Sequence, residues 1–104
     1  RKARKPDMPN QDNLMFFRTS DFTLFGIADG HGTGGHWVSH WVARFALHLV
    51  LTEVSELGLK CLKDTQSMNR VYNLAHEALL KRADQERFDV ALSGTTLCIC
   101  AIDH

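Results

Sequence analysis

Neither sign of charge predominates in this chain, because twelve lysine and arginine residues are balanced by twelve aspartate and glutamate residues. Proteins that bind nucleic acid or an anionic membrane usually carry a basic excess. No apolar stretch is long enough to cross a membrane, and no apolar signal core follows the basic N-terminus. We therefore expect neither nucleic acid nor a membrane as partner, and a soluble, monomeric protein of the cytoplasm or nucleus.

Cysteine and proline are also scarce. Cys61, Cys98 and Cys100 are an odd number without the spacing of a disulfide framework. Cys98 and Cys100 would share one face of a strand as packed free thiols, which indicates a reducing compartment. Both prolines lie within the first ten residues, beside the basic segment 1–5. We interpret this segment as a solvated terminal arm, with a phosphate-attracting edge as the alternative.

Two short apolar runs around a polar turn open the rest of the chain. They cover residues 14–17 and 22–28, and Thr19-Ser20-Asp21 separates them. Such a pattern is typical of a β-hairpin. The second run is apolar on both faces, which predicts a strand that is covered on both sides.

Helical periodicity follows a glycine-rich turn predicted at 30–35. A helix is predicted over 36–54 and a second one over 65–85, each with an apolar stripe that faces a core. In the first helix the stripe contains Trp37, Trp41, Phe45 and Leu49, with Val38, Val42, Ala46 and Val50 beside them; in the second it contains Met68, Val71, Ala75, Ala78 and Leu79. Residues 93–96 turn the chain into a closing strand over 97–104, which we expect to be buried. The order is β-β-α-α-β, an α+β arrangement, and we interpret residues 1–104 as a single incomplete domain.

Asp29 lies where the second apolar run ends and the glycines begin. Its carboxylate is therefore held by a strand but exposed at the strand's end, and the bare backbone lets the Gly30 carbonyl reach a cation. Oxygen donors of this kind suit Mg²⁺ or Mn²⁺. The alternative is that Asp29-Gly30-His31-Gly32 is only a tight turn, since aspartate and glycine are common in turns.

Asp12 precedes the first strand of the predicted hairpin. Antiparallel pairing brings the start of one strand beside the end of the other, so Asp12 and Asp29 should meet at one edge. There they could share a site for two metal ions about 3.5–4 Å apart. The alternative for Asp12 alone is a turn that caps the strand.

Taken in order, these motifs resemble the metal-dependent serine/threonine protein phosphatases of type 2C. The resemblance rests on Asn10-Gln11-Asp12, on Ile27-Ala28-Asp29-Gly30-His31-Gly32 before a helix, and on Ser93-Gly94-Thr95-Thr96 before a strand. It covers nearly the whole chain after the basic segment. The sequence is thus identified as the N-terminal part of such a catalytic domain.

This resemblance implies two mainly antiparallel sheets packed as a sandwich and flanked by helix pairs. It implies two Mg²⁺ or Mn²⁺ ions, with Asp29 bridging both, the Gly30 carbonyl on one of them, and Asp12 on the same ion directly or through water. The substrates would be proteins that carry phosphoserine or phosphothreonine, and a metal-activated water would attack the phosphorus. His31 would act as general acid for the leaving alkoxide, or else would be a turn histidine that only forms hydrogen bonds.

The chain departs from the family pattern at three points. Gln11 stands where many members have glutamate, so that position offers an oxygen without a charge. Family members tend to carry an arginine a few residues before the motif, which binds the substrate phosphate. The nearest cations here are Arg4 and Lys5, and the two proline residues separate them from the motif. The family also uses two aspartates farther downstream, so we expect activity in a longer parent protein and not in these 104 residues. A non-catalytic pseudophosphatase or scaffold is the main alternative.

Two other sites match parts of the same region. Gly30-x-Gly32-x-x-Gly35 fits a dinucleotide-binding fingerprint, but Glu53 and Glu56, at the distance of its acidic residue, fall in or just after a helix. His31, His36, His40 and His48 cluster in sequence as zinc ligands could, but the pair 36 and 40 lacks the glutamate of the zinc-helix motif. No cysteine lies nearby to complete a structural zinc site.

Overall fold

The computed structural model describes residues 10–88 and 90–104, so segment 1–5 with Arg4 and Lys5 lies outside the described residues. The fold is α+β, as predicted, with a four-stranded antiparallel sheet and two long helices. The strands are β1 (Asp12–Arg18), β2 (Phe22–Gly32), β3 (Ser93–Thr95) and β4 (Cys98–Asp103); the helices are α1 (Gly35–Leu57) and α2 (Thr65–Glu86), joined through a short 3₁₀ turn, Leu59–Lys63.

Strand β2 is the centre of the sheet. It pairs with β1 on one side, and on its other side with β4 along 22–27 and with β3 along 30–32. The predicted hairpin and closing strand are thus present. The turn predicted at 30–35 is wrong for its first three residues, because β3 supplies hydrogen-bonding partners that keep the chain extended through Gly32.

The two helices cover one face of the sheet. The core there consists of Met15, Leu24 and Ala28 from the sheet, Ala43, Ala46 and Val50 from α1, and Val71 from α2. The predicted α1 stripe is correct only in part, since Val38, Val42, Ala46 and Val50 are buried whereas Trp37 is 45% exposed. Small and β-branched side chains let α1 approach the sheet closely, and the large rings lie at the margin of this contact.

The opposite face of the sheet is not covered by any described element. Leu14 is 69% exposed, Ile27 54% and Ile102 52%, and Phe16 lies beside them. The prediction that β2 is covered on both sides is therefore wrong for this range, and so is the burial predicted for the closing strand. Cys98 and Cys100 are free thiols but exposed on this open face. Neither helix of the described range is long and apolar enough to cross a membrane.

Candidate metal centre at the end of the β1–β2 hairpin

Asp12 and Asp29 are direct cross-strand partners in the β1–β2 ladder. Side chains directly opposite each other in an antiparallel pair lie on the same face, with Cβ atoms about 4.5–5.5 Å apart. Both residues are exposed, and within residues 10–88 and 90–104 neither carboxylate takes part in an ion pair. Like charges in this position destabilise a sheet. A cation between the two carboxylates would remove that repulsion.

Gly30 is enclosed by the backbone around it. Its N–H donates to the carbonyl oxygen of Gln11 at 3.0 Å. A Cβ at this position would lie 2.6 Å from that same oxygen and even closer to the carbonyl oxygen of Gly35, so no other residue fits. The N–H and C=O of an extended residue point to the same side of the strand. The Gly30 carbonyl therefore faces the β1 side, where Asp12 lies.

His31 lies two residues beyond Asp29, so the alternation of the strand puts both side chains on the same face. Its cross-strand partner is Gly94. A Cβ on Gly94 would be 2.7 Å from Nε2 of His31 and 3.0 Å from Cε1. The exposed imidazole thus lies over the backbone of Gly94, on the same face of the sheet as Asp29.

The segment Ser93–Thr96 forms hydrogen bonds to Asp29 and to Gly34, one before and one after His31 in the sequence. The Thr96 N–H donates to the carbonyl oxygen of Asp29 at 3.0 Å, and the Asp29 N–H donates to Oγ1 of Thr96 at 3.3 Å. Ser93 Oγ accepts from the N–H of Gly34 at 2.7 Å, just before α1. The sequence predicted only a turn here. In the sequence, these positions are marked only by the motif Ser93-Gly94-Thr95-Thr96.

Gln11 and Ser39 connect the start of β1 to α1. The fully buried Ser39 Oγ donates to the carbonyl oxygen of Gln11 at 2.5 Å and accepts from Nδ2 of Asn13 at 2.8 Å. The side chain of Gln11 reaches the end of β2, where its Nε2 donates to the carbonyl oxygen of Gly32 at 2.7 Å. The start of β1, the end of β2 and the first turns of α1 are therefore tied together.

The described residues contain no group of three or more His, Cys, Asp or Glu side chains arranged to hold a metal ion. The four histidines considered as zinc ligands are accordingly not gathered into such a group, and neither are Asp12, Asp29 and His31. Nε2 of His40 instead accepts from Nε of Arg44 at 3.0 Å. Burial and then the charge of Arg44 lower the pKa of His40, which favours its neutral form.

The dinucleotide fingerprint is also in the wrong context. Every strand pair among the described residues is antiparallel, whereas that fingerprint belongs to a parallel βαβ unit. Glu53 lies within α1, where its carboxylate accepts from Arg70 of α2 at 2.8 Å. It is therefore not placed at the end of a second strand.

The structure brings the four predicted site residues to one end of the sheet, where β1 begins and β2 ends, namely Asp12, Asp29, Gly30 and His31. Their roles as metal ligands and as a general acid remain predictions. Comparison with protein-family models, with curated proteins and with solved structures gives no match for this chain.

Proposed function

We propose that this chain is part of the catalytic domain of a metal-dependent protein phosphatase of type 2C, which hydrolyses phosphoserine and phosphothreonine on proteins with Mg²⁺ or Mn²⁺. The observation that carries the proposal is the register of the hairpin, which sets Asp12 directly opposite Asp29. The sequence resemblance names the same two residues as metal ligands. The register and the resemblance therefore support each other.

The donors at this edge suit a hard divalent cation. The carboxylates of Asp12 and Asp29 and the carbonyl of Gly30 offer oxygen only, which Mg²⁺ and Mn²⁺ prefer. A bound pair of such ions would lower the pKa of water so that hydroxide is available near neutral pH. The hydrogen bonds between Asp29 and Thr96 hold the backbone of the proposed bridging ligand in place.

His31 is proposed to supply the proton that the departing serine or threonine oxygen needs. An imidazole has a pKa near neutrality, which suits a general acid. Its ring lies over Gly94 on the same face as the two carboxylates and is exposed to solvent. A phosphoester bound at the carboxylate pair would thus lie on the same face of the sheet as the imidazole.

The open face of the sheet supports the sandwich architecture that belongs to this proposal. Leu14, Phe16, Ile27 and Ile102 form an apolar surface on the side away from the helices. Sheets in a sandwich pack face to face about 10 Å apart through apolar side chains of this kind. We propose that a second sheet of the domain packs here, with the candidate metal centre at the end of the interface.

The decisive experiment is replacement of Asp29. In the protein that contains this chain, Asp29→Asn should weaken Mn²⁺ binding and lower Mn²⁺-dependent hydrolysis of a phosphothreonine peptide by on the order of 100-fold or more, because the cation loses a charged ligand. Binding is measured by isothermal titration calorimetry and hydrolysis by phosphate release.

Asp84→Asn, an exposed position on α2, is the matched control and should change neither quantity. Full activity of Asp29→Asn would contradict the proposal. Mn²⁺ binding that depends on Asp29, without any hydrolysis by the wild type, would identify a pseudophosphatase instead.

A further inference from the structure

We infer that Gln11 is a positioning residue for the site, acting through its side-chain N–H on the Gly32 carbonyl, and not a metal ligand. The observation is the 2.7 Å hydrogen bond from Nε2 of Gln11 to the carbonyl oxygen of Gly32. That bond links residues 21 positions apart and joins the start of β1 to the end of β2. The effect on catalysis rests on the proposed function, whereas the effect on the turn does not.

The backbone that receives this hydrogen bond has an unusual conformation. Its φ is +88°, a conformation that only glycine adopts readily, and a Cβ there would collide with the carbonyl oxygen of Leu92. The Gln11 amide supplies a directional contact to the peptide group between Gly32 and Thr33, one residue beyond His31.

Gln11 is itself held firmly on its backbone side. Its carbonyl oxygen accepts from the N–H of Gly30 at 3.0 Å and from Oγ of Ser39 at 2.5 Å. Gly35 also leaves room for the amide, since a Cβ there would lie 3.1 Å from Cδ of Gln11 and 3.2 Å from Nε2. The side chain thus links the Asp12–Asp29 pair to the turn that follows His31.

The chemistry of an amide separates this role from that of a ligand. An ionised glutamate only accepts hydrogen bonds and could not donate to the Gly32 carbonyl, whereas glutamine donates through its NH₂ group. A metal ligand at this position would gain from the charge of glutamate. A metal-ligand role therefore predicts tighter Mn²⁺ binding in Gln11→Glu, whereas the positioning role predicts a loosened turn at Gly32 in that variant.

The test compares Gln11→Glu with Gln11→Met, which keeps the length but has neither donor nor charge. The first readout is the water-exchange rate of the Gly34 amide by NMR, because its hydrogen bond to Ser93 reports whether the turn is closed. We expect both variants to raise this rate by about three- to tenfold, the factor that corresponds to one ordinary hydrogen bond. Gln85→Glu and Gln85→Met, on the exposed end of α2, are the matched controls and should leave it unchanged.

The second readout is function. Gln11→Met should keep the Mn²⁺ dissociation constant within about twofold of wild type and lower kcat without raising the KM for substrate, because only the placement of the His31 region changes. Unchanged Gly34 exchange in both variants would overturn the inference. A tenfold loss of Mn²⁺ affinity in Gln11→Met, as expected for Asp12→Asn, would overturn it as well. Failure of the wild type to bind Mn²⁺ would count against the proposed function alone, since the exchange experiment needs no metal.

Discussion

Gly94 and His31 face each other across β2 and β3, and the absence of a side chain on Gly94 leaves the space in which the imidazole lies. The clash that a methyl group would cause involves the far end of the histidine ring, at 2.7 Å from Nε2, and no backbone atom. A side chain can rotate away from such a clash, whereas a strand cannot. The identity of residue 94 should therefore affect the position of His31 more than the stability of the fold.

Gly94→Ala is predicted to separate activity from stability. The free energy of unfolding should change by less than about 1 kcal/mol, since alanine is favoured over glycine in a strand and the ring can move. Under the proposed role of His31 as general acid, kcat of the longer parent protein should fall by roughly tenfold to 100-fold, because a shift of about 1 Å in a catalytic group has this effect. Urea denaturation and phosphate release measure the two quantities.

The double variant Gly94→Ala with His31→Ala is the control for this interpretation. If Gly94 acts through the histidine, its substitution should have no further effect on kcat once the imidazole is gone. Equal effects of Gly94→Ala in both backgrounds would show that Gly94 acts on another part of the site.

At the scale of single elements, helix α2 begins with a well-formed N-cap. Asp64 accepts from Oγ of Ser67 at 2.8 Å and from the N–H of Ser67 at 3.2 Å. Ser67 is fully buried, so the cap also satisfies its hydroxyl. These hydrogen bonds lower the pKa of the Asp64 carboxyl, and the one from the Ser67 side chain has the largest effect. The charged form is therefore the one that stabilises the start of α2.

We expect Asp64→Ala to destabilise the protein in a pH-dependent way. A carboxyl whose pKa is lowered by folding contributes its full stabilisation above the ordinary aspartate pKa of about 3.9 and loses it as the pH falls through the lower folded value. The difference in unfolding free energy between wild type and variant should thus be constant near pH 7 and shrink below about pH 4. Urea denaturation across this range provides the measurement. Asp84→Ala, at an exposed position on α2, is the matched surface variant.

The sequence predicted the elements well where local periodicity decides them. Helices expected at 36–54 and 65–85 occur at Gly35–Leu57 and Thr65–Glu86. The position of Trp41 could not be predicted, because it depends on a contact between helices. Its ring is only partly buried and carries the guanidinium of Arg82 at 4.3 Å from the ring centre, so a residue expected in the core lies at its margin.

The candidate site shows the same division between local and distant information. That Asp12 and Asp29 would meet followed from a hairpin, which is a local structure. The support from Ser93, Gly94 and Thr96 depends on contacts with residues 59 to 67 positions earlier, which no local pattern encodes. The side-chain hydrogen bond of Gln11 depends on the conformation of Gly32, which sequence alone does not specify.

At the scale of the whole molecule, the sheet has two unlike faces. Met15 is 4% exposed and packs against the helices, whereas its neighbour Phe16 is 58% exposed on the open side. Adjacent residues of one strand thus test the two faces separately. Both residues lie in the middle of the same strand, so the comparison is between the two faces alone.

Met15→Ser should lower the unfolding free energy of the 104-residue chain by about 3 kcal/mol, since it removes buried apolar volume and adds a hydroxyl to the core. Phe16→Ser should change it by less than about 1 kcal/mol, as for other exposed positions. It should also reduce binding of a hydrophobic dye, because less apolar surface is exposed. Equal losses of stability in urea denaturation would show that the Phe16 face is covered in this chain.

The carboxylate pair and the contacts of Ser93–Thr96 differ in the number of residues in the loop that must close to form them. The carboxylate pair belongs to a hairpin whose strands are joined by a three-residue turn, whereas the bond between Asp29 and Thr96 spans 67 positions. Short loops close with a smaller loss of chain entropy, and local contacts form early in folding. The pair of acidic residues can therefore assemble before the support of His31 exists. Under the proposed function, cation affinity would then develop ahead of catalytic competence as the protein folds.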